Sequence, residues 1–294
     1  MIQGGVARAL AAMTLSTLIF AVMHMLVRHV SAEVHPIQIA FFRNLFGLIV
    51  FLPWLMRQGL APLRTKRFPL HALRGAVNAV AMFAFFTGLS LTPLAKATAL
   101  GFTAPIFAGL LSIALLGERF RLRRWSAIAC GFAGVLVILR PGLIAIDLGA
   151  ALVLFSSLLW GATIIVIKVL GRTESSVTTT IYMNLLLALF SFVPALFVWR
   201  TPGLEAWLWL VAIGVLGTLA QILLAQALKD SEPGVVMPLD FLRLIWASAL
   251  GFLVFAEVPE LFVWIGGAVI FASSTYLAYR EAKAGVRRPK TGHL

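Results

Sequence analysis

The sequence has few of the residues on which catalysis, metal binding and covalent cross-linking depend. It contains one cysteine, Cys130, in 294 residues, so no disulfide can form within the chain. The glycine-rich phosphate-binding loop of ATPases, the HExxH zinc motif and the GxSxG nucleophile motif are all absent from it. We therefore expect no catalytic residue, no metal and no cofactor, and we predict that the protein is not an enzyme.

Charged residues are also scarce, at 12% of the chain, whereas 61% of the residues are hydrophobic. Most of the apolar stretches have the roughly 17–25 residues that a tilted helix needs to cross a bilayer. A soluble protein would need polar faces on its surface helices, which these stretches lack. The sequence thus predicts an all-α membrane protein with ten transmembrane helices. We number the predicted segments 1 to 10, over residues 6–27, 36–56, 69–90, 94–116, 124–139, 147–167, 175–199, 204–228, 233–255 and 260–279.

The net charge of +13 indicates a membrane topology rather than a nucleic-acid partner. With the N-terminus inside, 18 of the 24 Lys and Arg residues fall on the inner side, including the tail from Arg280 onward, whereas Arg28, Arg140 and Arg200 fall outside and Lys96 lies near the outer side. This asymmetry predicts both termini in the cytoplasm and a location in the bacterial inner membrane. The expected partner of the basic residues is the lipid bilayer, and no nucleic acid is expected.

The two halves of the sequence resemble one another when one is shifted by about 140 residues. Phe20 then aligns with Trp160, and Asn44 with Asn184. Each half holds five apolar segments, and the odd number makes the second half enter the membrane from the opposite side. Inverted repeats of this kind are typical of alternating-access transporters. The predicted units are a first repeat, a second repeat and a basic cytoplasmic tail, over residues 1–141, 142–280 and 281–294.

Short motifs recur at the ends of the segments. Gly117-Glu118 closes segment 4, Ala256-Glu257 closes segment 9, and Ala227-Leu228 precedes a polar turn. With the pair Trp160-Gly161 and the later Lys168 in segment 6, the chain resembles the drug/metabolite transporter superfamily with two EamA-type repeats. The resemblance implies a secondary transporter, often an exporter of small polar metabolites. The superfamily includes the YddG-like exporters of aromatic amino acids.

Polar residues inside the apolar segments are the first candidates for a substrate site, because such groups are costly at membrane depth unless they face protein or water. Asp240 and Arg243 stand three residues apart in segment 9, which predicts a charge pair that contacts substrate or changes partners during gating. A purely structural ion pair is the alternative, and Asp240 is also a candidate proton carrier. Arg43 in segment 2 is expected to bind a carboxylate or, alternatively, to clamp two helices or extend to the outer membrane interface.

Helical spacing predicts a mostly apolar, aromatic cavity where segments 1, 3, 4, 6, 8 and 9 meet between the repeats. For any single Met or Phe, ordinary packing is the alternative, and His24 could instead be an interior hydrogen-bonded histidine. Pro105 and Pro238 predict hinges in segments 4 and 9, with static kinks as the alternative. Together with Arg43, the predicted cavity wall is His24, Asn78, Met82, Phe86, Thr98, Phe102, Trp160, Gln221, Met237 and Phe241.

Together these features predict a secondary transporter that exports small metabolites across the inner membrane by alternating access. Amino acids, including aromatic ones, are the leading substrate class, and other metabolites or cationic drugs are the alternative. An intramembrane enzyme and a channel are weaker alternatives, because the polar residues form neither a catalytic set nor continuous pore rings. Small residues four apart predict that segments 5 and 10 pack together in a monomer, or else form a dimer contact; they are Ala129, Ala133, Ala268 and Ala272.

The topology is testable with reporter fusions after Leu294. We expect a C-terminal GFP fusion to fluoresce and a C-terminal alkaline phosphatase fusion to be inactive, because the phosphatase needs disulfides that form only outside the cytoplasm. Fusions of both reporters after Arg200, in a predicted outer loop, should give the opposite pair of results. An active phosphatase after Leu294 would contradict the predicted orientation.

Overall fold

The computed structural model describes residues 2–53, 56, 59, 65–116, 122–140, 147–170, 173–174, 176–231 and 236–286. Within these residues the chain is helical and contains no strand. A 3-10 segment, Met237–Phe241, precedes α10. The α-helices are α1 (Ile2–Val30), α2 (Pro36–Ile49), α3 (Phe68–Leu91), α4 (Leu94–Gly101), α5 (Ala104–Leu116), α6 (Leu122–Leu139), α7 (Leu148–Leu170), α8 (Ser176–Phe197), α9 (Leu204–Asp230), α10 (Leu242–Phe255) and α11 (Leu261–Val286).

The lengths and composition of these helices suit a membrane protein. Three apolar helices are short, over Pro36–Ile49, Trp125–Leu139 and Leu261–Leu277. The prediction of an all-helical architecture is confirmed for the described residues, whereas the count of ten crossings and the side of each terminus stay predictions. Among the described residues, seven helical stretches are long and apolar enough to cross a membrane: Ala7–Val30, Phe68–Leu91, Leu94–Leu115, Leu148–Ile167, Thr178–Phe197, Leu204–Asp230 and Pro238–Phe255.

Segments 4 and 9 are interrupted helices. Segment 4 is split into α4 and α5 at Phe102 and Thr103, whose backbone N–H groups bond to carbonyls three residues back. Pro105, at the start of α5, has no N–H to donate, and Pro238 lies in the first turn of the 3-10 segment. The Phe102 carbonyl accepts a hydrogen bond from Ser274 Oγ of α11 at 2.6 Å. A neighbouring helix therefore supplies a donor at the break, as a buried carbonyl requires. Movement about the two prolines stays a prediction.

The helix contacts follow the internal similarity of the sequence. The most extensive contacts join α1 to α9, α3 to α7, α6 to α11 and α2 to α8. Under the alignment of the two halves, the α1–α9 contact corresponds to the α3–α7 contact. The α2–α8 and α6–α11 contacts each join a helix to its own counterpart. Equivalent segments of the two halves therefore make equivalent contacts.

Two glycines bring α6 and α11 into close contact. A Cβ atom at Gly134 would lie 2.8 Å from the Gly266 carbonyl oxygen, and one at Gly266 would lie 2.5 Å from the Gly134 carbonyl oxygen. Only the absence of both side chains permits this approach. Segments 5 and 10 do pack together as expected, but the expectation that alanines form the contact is wrong. A dimer contact through those alanines stays a prediction, since all four are exposed: Ala129, Ala133, Ala268 and Ala272.

Charged side chains tie four helices together at one end of the bundle. Arg28 of α1 forms an ion pair with Glu257, which follows α10. Glu257 Oε2 also accepts a hydrogen bond from the N–H of Leu94, the first residue of α4, at 3.0 Å. Lys96 Nζ of α4 lies 2.6 Å from Asp147 Oδ2, just before α7. We call this region the Glu257 end, and its contacts connect α1, α4, α7 and α10.

The close approach of α6 and α11 predicts that leucine substitutions at two neighbouring positions differ sharply in their effect on stability. Gly134→Leu should lower stability by about 1–3 kcal/mol, because the new side chain must displace the backbone of α11. Ala133→Leu is the matched control, since Ala133 is exposed; it should change stability by less than about 0.5 kcal/mol. The measurement is the thermal unfolding of the detergent-purified variants. Equal losses of stability in the two variants would contradict the described helix contact.

Candidate substrate cavity

A cavity of about 320 Å³ lies between the helices. Every helix except α6 contributes described residues to its wall, as does the 3-10 segment. This volume is at the lower end of the roughly 300–1,000 Å³ of small-molecule sites. The wall is largely apolar with a few polar groups, as is usual for sites that take up small organic molecules.

Most of the site residues predicted from the sequence lie on this wall. Phe241 is adjacent to it, in contact with Phe102 and Phe271. Pro238 is exposed, and the side chain of Met237 is outside the described part of the structure. A role in substrate binding stays a prediction for every one of the predicted site residues, whether on the wall or off it. The residues on the wall are His24, Arg43, Asn78, Met82, Phe86, Thr98, Phe102, Pro105, Trp160, Gln221, Asp240 and Arg243.

Several wall residues were not predicted as site residues. Phe271 and Ser274 of α11 belong to this group because segment 10 was assigned to helix packing alone. They stand three residues apart and therefore share a helical face, which is a signal the sequence did contain. Other unpredicted residues on the wall are Met23, Phe85, Ala104, Met183, Leu187 and Thr275.

Arg243 is held between aromatic rings and a carboxylate. Its Cζ atom lies 4.9 Å from the ring centre of Phe20 and 6.0 Å from that of Phe102. Its Nη2 donates a hydrogen bond to Asp240 Oδ1 at 2.5 Å, and the two side chains are 21% and 15% exposed. A carboxylate and two ring faces therefore balance the positive charge. The pair predicted from the spacing in segment 9 is present in the structure, while its role in gating stays a prediction.

Phe102 and Phe241 occupy corresponding places at the two helix interruptions. Phe102 lies between α4 and α5, and Phe241 is the last residue of the 3-10 segment, directly before α10. Their ring centres are 6.4 Å apart. Phe271 of α11 joins them, with ring-centre distances of 5.4 Å to Phe102 and 5.0 Å to Phe241. These three rings form one aromatic cluster that connects both interruptions to α11.

A second group of rings covers another part of the wall. The ring centre of Phe85 lies 4.8 Å from that of Trp160 and 5.1 Å from that of His24, and His24 lies 6.2 Å from Phe20. His24 is buried, and its Nδ1 atom has no hydrogen-bond partner among the described residues. Faces and edges of this kind suit contact with a flat ring system.

Arg43 is the second buried cation on the wall. It is 4% exposed, and its Nη1 donates to Asn44 Oδ1 at 2.9 Å. Asn44 in turn donates from Nδ2 to the Ala40 carbonyl at 2.7 Å, which fixes its orientation. A Cβ atom at Gly217 of α9 would lie 3.1 Å from Arg43 Nε, so the glycine makes room for the guanidinium. That Nε atom has no partner among the described residues.

Comparison with known proteins gives a consistent result. The sequence profile described as "EamA-like transporter family" matches residues 7–140 and again residues 147–279. The chain is 34% identical to the riboflavin transporter of Rhizobium johnstonii, over 83% of this chain and 81% of that one. It is 28% identical to the S-adenosylmethionine uptake transporter of Rickettsia bellii, over 87% of this chain and 88% of that one. These names are those of transporters and not of enzymes.

The fold is also that of a solved protein. A crystal structure matches with a TM-score of 0.63 at 18% identity, over 95% of this chain and 98% of that one. None of these similarities singles out the YddG-like exporters of aromatic amino acids, and none supports amino acid export over other transport. They support a multi-pass transporter of a bacterial membrane that carries a small molecule.

The ion pair between Asp240 and Arg243 predicts a strong coupling between these residues. Asp240→Asn should destabilise the protein by about 1–3 kcal/mol, because a charge inside the bundle loses its partner. Adding Arg243→Gln should restore part of the loss, since the unpaired charge is then gone. We expect a coupling energy of at least about 1 kcal/mol in a double-mutant cycle measured by thermal unfolding. Simple additivity of the two single effects would show that the pair is not a stabilising unit.

Proposed function

The chain belongs to the EamA-like transporter family, and on that premise we propose that it carries a flat aromatic metabolite across the bacterial inner membrane. Riboflavin is the first candidate. The observation that carries the proposal is the cavity of about 320 Å³ with aromatic rings on two sides. A relative that shares 34% of its residues is a riboflavin transporter, which supports the same choice.

The wall offers the two kinds of contact that riboflavin requires. Its three-ring system is flat and can lie against Phe85, Trp160 and Phe20, where stacked and edge contacts are favourable. Its hydroxylated chain needs hydrogen bonds, and Asn78 and Gln221 lie on the wall to supply them. A site that pairs ring contacts with a few directed polar groups gives both affinity and selectivity.

Amino acids, aromatic ones included, are the second candidate. Arg43 would provide a cation for the carboxylate. The amino group would need a carboxylate of its own, and Asp240, the acidic residue on the described part of the wall, is already paired with Arg243. This arrangement favours a substrate without a free ammonium group, and it is the reason that riboflavin stands first.

We further propose that the transporter is uncoupled. Asp240 accepts a hydrogen bond from Arg243, so the acidic residue on the described part of the wall already has a cationic partner. His24 lies against Phe20 and Phe85 and has no ion pair among the described residues. An uncoupled carrier moves its substrate down the concentration gradient in either direction, so export is one of two possible directions in the cell.

The proposed cycle is alternating access in a bundle of ten crossings, with both termini in the cytoplasm. The proposed repeats, residues 1–141 and 142–280, are supported by the double match to the family and by the equivalent helix contacts of the two halves. Rocking of the halves would open the cavity to each side in turn. Opening at the Glu257 end would require the ion pair between Arg28 and Glu257 to separate.

The transport proposal is tested with the purified protein in liposomes and radiolabelled riboflavin. We expect saturable exchange, with no effect of a pH gradient. Trp160→Ala should weaken the apparent affinity about tenfold, equivalent to 1.4 kcal/mol, because it removes a ring from the wall. Trp125→Ala is the matched control, since Trp125 is half-exposed and lies on α6, the one helix without a described wall residue.

Each other outcome points to a specific alternative. Saturable exchange of tryptophan without any riboflavin movement would replace the first candidate by the second. Flux that rises linearly with concentration would indicate a channel, and recovery of a chemically altered substrate would indicate an enzyme. Acceleration by a pH gradient would contradict the uncoupled cycle.

A further inference from the structure

The charges on the described cavity wall do not balance. Asp240 and Arg243 neutralise one another through their hydrogen bond. Arg43 has no ion pair among the described residues, although it is almost completely buried. The described wall therefore carries a net positive charge, and that charge resides on Arg43.

The Arg43 side chain is held in place, but not all of its N–H donors have an acceptor among the described residues. A guanidinium has five N–H donors, and the one described acceptor for Arg43 is the side-chain oxygen of Asn44, the next residue on the same helix. The Nε atom has none, and the same holds for the Nε atoms of Arg74 and Arg243. A buried cation with unused donors is unfavourable unless another group brings an acceptor or an anion. The cavity is the side from which such a group can arrive.

Comparison with Arg74 shows that Arg43 is not an ordinary helix clamp. Arg74 of α3 is also buried, at 7% exposure, and lies off the cavity wall. Its Nη1 donates to the Thr179 carbonyl of α8 at 3.2 Å, and its Nη2 donates to Sδ of Met183, a wall residue of α8, at 3.4 Å, so it bonds one helix to another. Arg43 makes no such bond between helices in the described structure. From the sequence, Arg43 could also have been a clamp between two helices. In the structure it is Arg74 that bonds two helices together.

We propose that Arg43 is the polar subsite of the cavity and binds an acceptor-rich or anionic edge of the substrate, so that the carrier excludes cationic aromatic molecules. This proposal rests on the proposed function in one respect: it assumes that the substrate binds in the same cavity. A carboxylate fits the donor fork of a guanidinium. The adjacent ring nitrogen and carbonyl oxygen of a flavin offer the same two acceptors without a full charge. An ammonium or sulfonium group near Arg43 would be repelled, because screening is weak away from water.

Two probes that share one ring system and differ in charge separate these cases. Indole-3-acetate carries a carboxylate, whereas tryptamine carries an ammonium group. In proteoliposomes, indole-3-acetate should compete with riboflavin at least tenfold more strongly than tryptamine. In Arg43→Gln this preference should fall to less than about threefold, and the affinity for riboflavin should drop about tenfold.

Direct binding makes the test independent of riboflavin transport. Binding of radiolabelled indole-3-acetate to the detergent-purified protein, with tryptamine as the competitor, measures the same preference without any flux. If riboflavin is not carried but this preference is present and is lost in Arg43→Gln, the subsite stands and the first substrate candidate falls. If riboflavin is carried equally well by the wild type and by Arg43→Gln, the subsite is overturned and the transport proposal stands.

Two further variants separate charge recognition from folding. Arg74→Gln also removes a buried guanidinium but lies off the wall, so it should keep the preference for the anionic probe. Gly217→Ala keeps the charge of Arg43 and crowds its guanidinium, since the new Cβ would lie 3.1 Å from Nε; it should weaken binding of indole-3-acetate several-fold. Equal loss of the preference in Arg74→Gln and Arg43→Gln would overturn the proposal. Gel filtration of each variant establishes that it is folded.

Discussion

The structure depends on satisfying a small number of polar groups inside an apolar bundle. At membrane depth no water is available to bond the free backbone groups of an interrupted helix or to solvate an unpaired charge. Each of these groups therefore needs a partner within the protein. At the interruption after α4, the Phe102 carbonyl takes its hydrogen bond from Ser274 of α11. At the Glu257 end, one carboxylate serves both Arg28 and the first N–H of α4. The interruption after α4, next to the cavity, is possible because α11 completes its hydrogen bonding.

Much of this arrangement could be predicted from the sequence because it is local. Hydropathy gives the helices, prolines give the two interruptions, and a spacing of three residues gives the pair of Asp240 and Arg243. The contact of α6 with α11 could not be predicted in detail, since both helices carry glycines and alanines on more than one face, and only the relative rotation of the helices decides which of these residues face the partner. The same rotation brings Phe271 to the cavity. The space that Gly217 leaves for the Arg43 guanidinium depends on how closely α9 approaches α2, which no local pattern contains.

The family fold by itself does not determine the substrate. Its relatives include transporters named for riboflavin, for S-adenosylmethionine and for pseudopaline, and these molecules differ in shape and charge. On the proposed function, the rings of the wall would recognise a flat molecule, and many metabolites are flat, whereas a fixed charge would distinguish among them. Specificity in such a fold resides in a few side chains at the cavity, and the bundle that carries them can stay the same.

The two halves differ at matched positions, and this difference has a consequence for how a substrate lies in the cavity. Under the alignment of the halves, Arg43 stands opposite Met183, and both lie on the wall. A cavity built from two identical halves would present the same groups twice, and a ligand would fit equally well in two poses related by a half-turn. If a substrate binds there as proposed, the Arg43 guanidinium on one side and the Met183 thioether, which accepts a hydrogen bond from Arg74, on the other would favour one pose. A bound molecule would then enter and leave without turning over. Two unequal halves in one chain can fix the orientation of a ligand, which a symmetric dimer of single repeats could not do.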